Sequence, residues 1–446
     1  MVLIYRRIKK ICLNKKPIRA RFYLAIKLSS LIFLMVNGAV VGYVKSMEVE
    51  QKLDTDGLSL AEAIQRTFRN HPDLRSYQYQ LDAQRGAQIQ AGLSRKPVVE
   101  LNIEDALGNG EFSGLDNAQT TLSVSWILDQ QITQKRSLLA SRGLDLIETE
   151  LKIKQLDTAV QTAGYFLTAL SYQEREAIAK RGISLAEETV SEVKKRVNIG
   201  KTPLAELYRA EAELAKRQLI LVDLKHELAS SIRQLAAQWG STQPRFSLVT
   251  GSLAEKPKLI HFDALKKRMA NNPHLAKYLS QARMKQAELT LAKEEREPRW
   301  KFSTGLRRYE QTGDFGVVAG VSIPFGGENN NQGRIAQVQA EVLQNQSEAD
   351  ALKVRIKTSL FIVYQQLEHS LHVGEMLELE IIPRLEKSLT ETHKAYELGK
   401  YSYLEWLAVQ KELLDAQSAL LDTNLSAHLH QLELERLTGS QITSPF

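Results

Sequence analysis

Cysteine is almost absent from this sequence. Among 446 residues there is one, Cys12, inside a basic N-terminal segment. The rest of the chain therefore has no means of forming disulfides or thiolate metal centres, which fits an oxidising compartment. Proline is scarce too, with 11 residues. In a chain rich in Ala, Leu, Gln, Glu, Lys and Arg, the shortage of helix breakers points to long helices. Catalytic signatures are missing: there is no phosphate loop, no nucleophile–base pattern and no metal box. The nine histidines are scattered. His369 and His372 share a helix face and His428 and His430 are close, but no cysteine or clustered acid supports either pair, so surface histidines are the better reading. The expectation is a protein that is not an enzyme and needs no cofactor.

Acidic residues are missing from one region only. Residues 1–46 hold ten Lys/Arg and no Asp or Glu, and removing them takes the formal charge from +7 to −3. The body is mildly acidic, so charge gives no argument for a nucleic-acid partner. The basic stretch is followed by "LSSLIFLMVNGAVVGYV", Leu28 to Val44, with Val44 and Ser46 suited to a cleavage site. This order reads as a secretory signal over 1–46. The alternative is an uncleaved inner-membrane anchor, since the run is near the lower limit for a span. Cys12 precedes the apolar core and is misplaced for a lipoprotein cleavage box.

What is present is a duplication. "VNIGKTPLAELY" (Val197–Tyr208) and "YELGKYSYLEWL" (Tyr396–Leu407) carry the same Gly-Lys pair and the same acid 199 residues apart. "RNHPDL" (Arg69–Leu74) matches "ANNPHL" (Ala270–Leu275), Pro97 matches Pro298, Tyr165 matches Tyr364, and Gly240-Ser241 matches Gly439-Ser440, all in the same order. The expected organisation is a first repeat over 47–240, a linker over 241–261 and a second repeat over 262–440. Each repeat reads as two shorter helices, a β-hairpin (about 98–127 and 299–325), a helix of sixty-odd residues, a Gly-Lys turn (near 199–203 and 398–402) and a helix of about 35 residues.

The long helices have coiled-coil periodicity. Leu207, Leu214, Leu221, Leu228 and Leu235 recur every seventh residue, matched by Trp406, Leu413, Leu420, Ala427 and Leu434. A strict heptad gives a left-handed supercoil. A helix from Gln134 to Asn198 would be roughly 100 Å long, too long a rod to be buried by one chain. Pro383 interrupts the second long helix, and Gly182 lies nearby in register in the first. Both repeats are thus expected to have a weak point before the turn.

The strand segments alternate with period two. Val99, Leu101 and Ile103 share a face, as do Leu122, Val124 and Trp126 in the next segment. Trp300, Phe302 and Leu306 share one in the third, and Phe315, Val317, Ala319, Val321 and Ile323 in the fourth. The pattern suits transmembrane β-strands with lipid-facing apolar positions. Alone it suits a half-buried soluble sheet equally well. Two hairpins flanked by rods, in a chain with little other apolar sequence to cover them, favour the membrane. Four strands are too few to close a membrane barrel, and lipid does not accept open edges. Several copies must then share one barrel, with their helices forming a tunnel below.

These features resemble the TolC-type outer-membrane efflux channels. The resemblance rests on "LSLAEAIQRTFRNHPDL" (58–74), "GVSIPFGGENNNQGRIAQVQAE" (320–341) and "IIPRLEKSLTETHKAYELGKYSYLEWLAVQKELLDAQSALL" (381–421), and covers about residues 58–438. The Asn-Gln-Gly before the helix looks most like the cation-efflux, Czc-type branch. The resemblance implies a mainly α fold with a membrane β-barrel: a homotrimer with a shared twelve-stranded barrel in outer-membrane lipid and an α-helical periplasmic tunnel. It also implies a periplasmic adaptor and an inner-membrane RND-type pump as partners, and passive conduction of substrate, heavy-metal cations above all.

By the same resemblance Gly200, Lys201, Gly399 and Lys400 form the periplasmic tips that contact the adaptor. Glu206 and Glu405 are its candidate aperture acids. The plainer reading of both is a solvated glutamate at a helix start. Where the family commonly has a second acid after the later one, this chain has Ala408. Two other functions remain open: a duct for drugs or type I protein secretion, and a non-membrane coiled-coil scaffold.

Overall fold

The computed structural model describes residues 57–325, 331–440 and 442. The expected signal segment (1–46), the first residues of the first repeat and residues 326–330 of the Asn-rich motif lie outside the described residues. The expected first repeat contains α1 (Leu60–Asn70), α2 (Pro72–Ala91), β1 (Val98–Glu104), β2 (Gln119–Ile127), α3 (Gln130–Asn198) and α4 (Leu204–Ala237). The second contains α5 (Phe262–Arg268), α6 (Pro273–Glu294), β3 (Lys301–Tyr309), β4 (Phe315–Ser322), α7 (Gln332–Met376), a π-turn (Leu377–Ile381), α8 (Ile382–Glu397) and α9 (Tyr403–Thr438). The fold class is mainly helical, with few strands. No helix among the described residues is long and apolar enough to cross a membrane.

The repeated Asn-x-Pro is a helix junction. In each copy the residue before proline caps the next helix: His71 Nδ1 accepts from Asp73 N at 3.2 Å, and Asn272 Oδ1 accepts from His274 N at 2.7 Å. Proline then opens the helix, where its missing N–H is not needed. Ser59 caps α1 through Glu62 N at 3.3 Å.

The two rods differ. α3 runs unbroken for 69 residues, straight through Gly182. A Cβ at Gly182 would lie 3.1 Å from Arg217 Nη1 and 3.3 Å from a Leu414 methyl. This glycine lets three helices approach closely and is not the weak point its register with Pro383 led us to expect. The second rod is interrupted: Pro383 sits in the first turn of α8, directly after the π-turn. The widened turn absorbs the lost hydrogen bond and the ring clash.

The heptad residues face inward. Leu207, Leu228, Leu235, Trp406, Leu413, Ala427 and Leu434 are buried, and Leu214, Leu221 and Leu420 half-buried. The main core joins both halves, with Leu58, Phe166, Leu170, Leu235, Phe246, Val249, Leu253 and Leu432 in one cluster.

Residues 241–261 are more than a tether. Val249 exchanges two 3.1 Å hydrogen bonds with the Gln173 amide, and Leu253 N donates to Glu174 Oε1 at 2.9 Å. Val249 also bridges Leu58 as a short parallel pair.

Candidate functional site

The four strands form a single antiparallel sheet in the order β1-β2-β3-β4. The two hairpins are joined by β2 and β3, which pair from Gln119↔Tyr309 to Ile127↔Lys301. Because side chains alternate, this register stacks the apolar positions of all four strands on one face. One row is Leu101, Leu122, Leu306 and Val317; the next is Val99, Val124, Thr304 and Ala319; then Trp126, Phe302 and Val321. At the far end stand Ile103, Thr120, Arg308 and Phe315.

The face is bare. Leu101 is 63 % exposed and Val317 78 %, and Val99, Ile103, Leu122, Val124, Trp126, Leu306, Phe315 and Val321 are exposed as well. Phe302 is half-buried, between Trp126 and Trp300, each stacked on it at 6.2 Å. These three rings cluster at the helix-proximal end of the sheet. Trp300 and Ile323 stand one residue outside β3 and β4 and are exposed. The opposite face is largely polar, with Thr121 and Ser125 buried and Arg307 bonded to Glu104, Gln119 and Thr121. β1 and β4 have no partner on their outer edges among the described residues.

At the other end of the rods are the two Gly-Lys turns. Gly200 has φ +72° and Gly399 φ +73°, the left-handed conformation that ends a helix. In each, the following lysine N–H reaches back five residues: Lys201 N to Arg196 O and Lys400 N to Ala395 O, both 2.9 Å. Alanine at either glycine should destabilise its turn by about 1–2 kcal/mol. The check is faster amide exchange in the flanking helix ends, with the rest of the chain unchanged.

The two turns then diverge. α4 follows Pro203 with no side-chain cap, and Glu206 is half-buried in its first turn. α9 begins with a capping box. Ser402 N and Oγ donate to Glu405 Oε2 at 2.7 and 2.9 Å, and Glu405 N donates to Ser402 Oγ at 3.4 Å. The Ser402 backbone N–H, then its hydroxyl, hold the Glu405 carboxyl below the usual carboxylate range. The cap's contribution is therefore present above the ordinary carboxylate pKa. It is lost as pH falls through the lowered folded value. The Ser-x-x-Glu spacing at 402–405 was a readable sequence signal for this role.

The structure also brings together residues that sequence reasoning missed. Arg196, near the end of α3, donates through Nη1 to the carbonyls of Tyr396 and Glu397 and lies 4.5 Å over the Tyr396 ring. One side chain thus ties the first turn to the second. Beneath it, Val193, Leu207, Ala210, Tyr396, Tyr403 and Trp406 form a buried cluster. Trp406 is stacked between His393 at 4.7 Å and Tyr396 at 5.1 Å. Burial, then the nearby Glu213 charge, push the Tyr403 phenol up to about 12. Among the described residues no group of three or more His, Cys, Asp or Glu is placed to hold a metal ion.

Comparison with known proteins agrees with this geometry. Residues 63–241 match the Outer membrane efflux protein family. The chain is 24 % identical over 385 residues to the cobalt-zinc-cadmium resistance protein CzcC of Cupriavidus metallidurans, covering 86 % of this chain and 90 % of that one. The solved structure of CusC superposes with a TM-score of 0.71 at 15 % identity, covering 86 % of this chain and 92 % of CusC. The outer membrane protein VceC of Vibrio cholerae superposes with a TM-score of 0.68 at 17 % identity, covering 86 % of this chain and 97 % of VceC. A bare apolar sheet face joined to long rods, a match to the Outer membrane efflux protein family over residues 63–241 and the superposition on CusC and VceC lead to one conclusion: this chain resembles the outer membrane efflux proteins in sequence over that stretch and shares the fold of those solved structures.

Proposed function

We propose that three copies of this chain close a twelve-stranded barrel in the outer membrane, with their helices forming a periplasmic tunnel. The tube passively conducts substrate delivered by a periplasmic adaptor and an inner-membrane RND-type pump. One observation carries this reading: a four-stranded sheet with an exposed apolar face on every strand and two unpaired edges. Lipid covers such a face but does not tolerate such edges, so identical sheets must complete the cylinder. Apolar residues left exposed on the rods of a single chain, including Leu219, Val222, Leu343, Val354 and Phe361, support side-by-side packing of copies. The substrate class is heavy-metal cations, on the likeness to CzcC and to the nickel-cobalt-cadmium resistance protein NccC. The signal at 1–46 delivers the chain across the inner membrane, and the tips around Gly200, Lys201, Gly399 and Lys400 meet the adaptor.

Electron microscopy of the detergent-purified protein tests the architecture. Elongated three-fold particles are expected; a folded monomer soluble without detergent would refute it. Sensitivity to cobalt, zinc and cadmium on deleting the gene tests the substrate. Glu405 is tested separately: Glu405→Gln removes charge yet keeps hydrogen-bonding groups for the cap, whereas Glu405→Ala removes both. An aperture acid predicts altered cation preference in both variants. If Glu405 only caps α9, Gln is near neutral and Ala frays the helix start.

A further inference from the structure

Among the described residues, the polar face of the sheet holds a carboxylate with no partner, Glu100. On the barrel reading proposed above, on which this inference rests, that face lines the lumen. Its rows are Glu104, Gln119 and Tyr309; then Asn102, Thr121, Arg307 and Gly316; then Glu100, Ser123, Gly305 and Val318; then Val98, Ser125, Ser303 and Gly320. Arg307 is fully engaged: Nη2 binds Glu104 at 2.8 Å, Nη1 binds Gln119 at 2.9 Å and Nε binds Thr121 at 2.9 Å. The Glu104–Arg307 pair therefore contributes little net charge. Glu100, one row away, has no hydrogen bond or ion pair among the described residues.

Its surroundings are stripped of bulk. A Cβ at Gly305 would lie 2.6 Å from Leu122 O and 2.9 Å from Ser123 Cα, and one at Gly320 would lie 2.8 Å from Ser303 Oγ. Glycine is needed at Gly305 for the strands to approach at all. Closing the barrel does not supply a counter-charge either. The strand beside β1 would be a neighbour's β4, whose residues on this face are Gly316, Val318, Gly320 and Ser322. None is charged, whatever the register between copies.

We propose that Glu100 is the charge-selective element of the barrel, three copies forming an anionic ring that makes the outlet prefer cations. The magnitudes allow it. Twelve strands 4.8 Å apart and tilted about 40° enclose a backbone cylinder of about 12 Å radius. A glutamate reaching inward leaves its carboxylate about 8 Å from the axis, within the Debye length of about 10 Å at 0.1 M salt. At 1 M the Debye length is about 3 Å and the ring is invisible from the axis. Lys301, which also has no ion pair among the described residues, lies two rows towards the helices. That is about 13 Å along the strand, so at 0.1 M it is screened from the Glu100 level.

The test is the reversal potential of the full-length protein in planar bilayers under a potassium chloride gradient centred on 0.1 M. The wild type should prefer potassium over chloride, and Glu100→Gln should lower that permeability ratio on the order of twofold or more, with the difference gone at 1 M. Glu100→Cys provides a rescue, because Cys12 is the only other thiol in the sequence. An anionic methanethiosulfonate should restore the wild-type ratio and a cationic one should drive it towards chloride. Channels of normal conductance with the same ratio in wild type, Glu100→Gln and both adducts would overturn the assignment and leave the barrel intact. Absence of channels and of detergent-stable trimers in the wild type would overturn the barrel, and this inference with it.

Discussion

Arginine at both Leu101 and Val317 is expected to abolish trimer assembly in the outer membrane if the proposed shared barrel forms. The two residues end one cross-sheet row, 63 % and 78 % exposed on the apolar face. An arginine facing lipid near the bilayer midplane costs about 2–4 kcal/mol. Six arginines in a trimer would then sum to about 12–24 kcal/mol, at or beyond the 5–15 kcal/mol that ordinarily separates folded from unfolded chains. The readout is loss of the heat-resistant trimer on gels and loss of the protein from the detergent-extracted outer-membrane fraction. Asn102→Arg is the control. It sits beside Leu101 on the same strand but points to the opposite face, next to Thr121 and Arg307. It should assemble normally. If the double variant also assembles, the apolar face does not meet lipid.

Replacing Trp406 by alanine should have the next largest effect, confined to one end of the molecule. The indole is 3 % exposed and stacked against His393 and Tyr396. Truncating so large a buried aromatic costs about 3–5 kcal/mol through lost transfer energy and the cavity left behind. The small cluster around it lies apart from the main core, so the loss should appear as local opening and not as global unfolding. Faster amide exchange is expected over about residues 190–210 and 390–410, while the core around Phe166 and Leu235 stays protected. Arg196 loses its platform at the same time, because its guanidinium rests on the Tyr396 ring that Trp406 supports. Uniform acceleration of exchange along the whole chain would contradict this picture.

Local periodicity made much of this architecture readable, and distance in sequence hid the rest. The seven-residue recurrence from Leu207 to Leu235 and the two-residue alternation from Val99 to Ile103 are signals carried within one element, and both lie where burial and pairing follow that period. The junction of β2 with β3 has no such signal, because Trp126 and Phe302 become neighbours only when the chain returns to the sheet. The tie from Arg196 to the Tyr396 carbonyl likewise joins residues 200 apart. Gly182 reads as a break from the sequence because glycine weakens a helix interior. Its reason here is the Arg217 guanidinium and Leu414 methyl packed over it, which come from other helices. Glu405 is the opposite case: its capping spacing from Ser402 is local and readable, whereas an aperture role is implied by the resemblance alone.

The main core has a consequence for how the molecule is made. Leu58 stands near the start of the described chain and Leu432 near its end, and both belong to one cluster with Phe166 and Leu253. Contacts this distant in sequence form slowly, since a very long loop must close before they return any stabilisation. The nascent chain can wind its rods as it emerges, but it has no finished interior until the last helix arrives. If the chain is exported as proposed, escort proteins that shield greasy unfolded segments should therefore matter most in its final stretch, and C-terminal truncations ending before Leu432 should be degraded rather than accumulate as a half-built product.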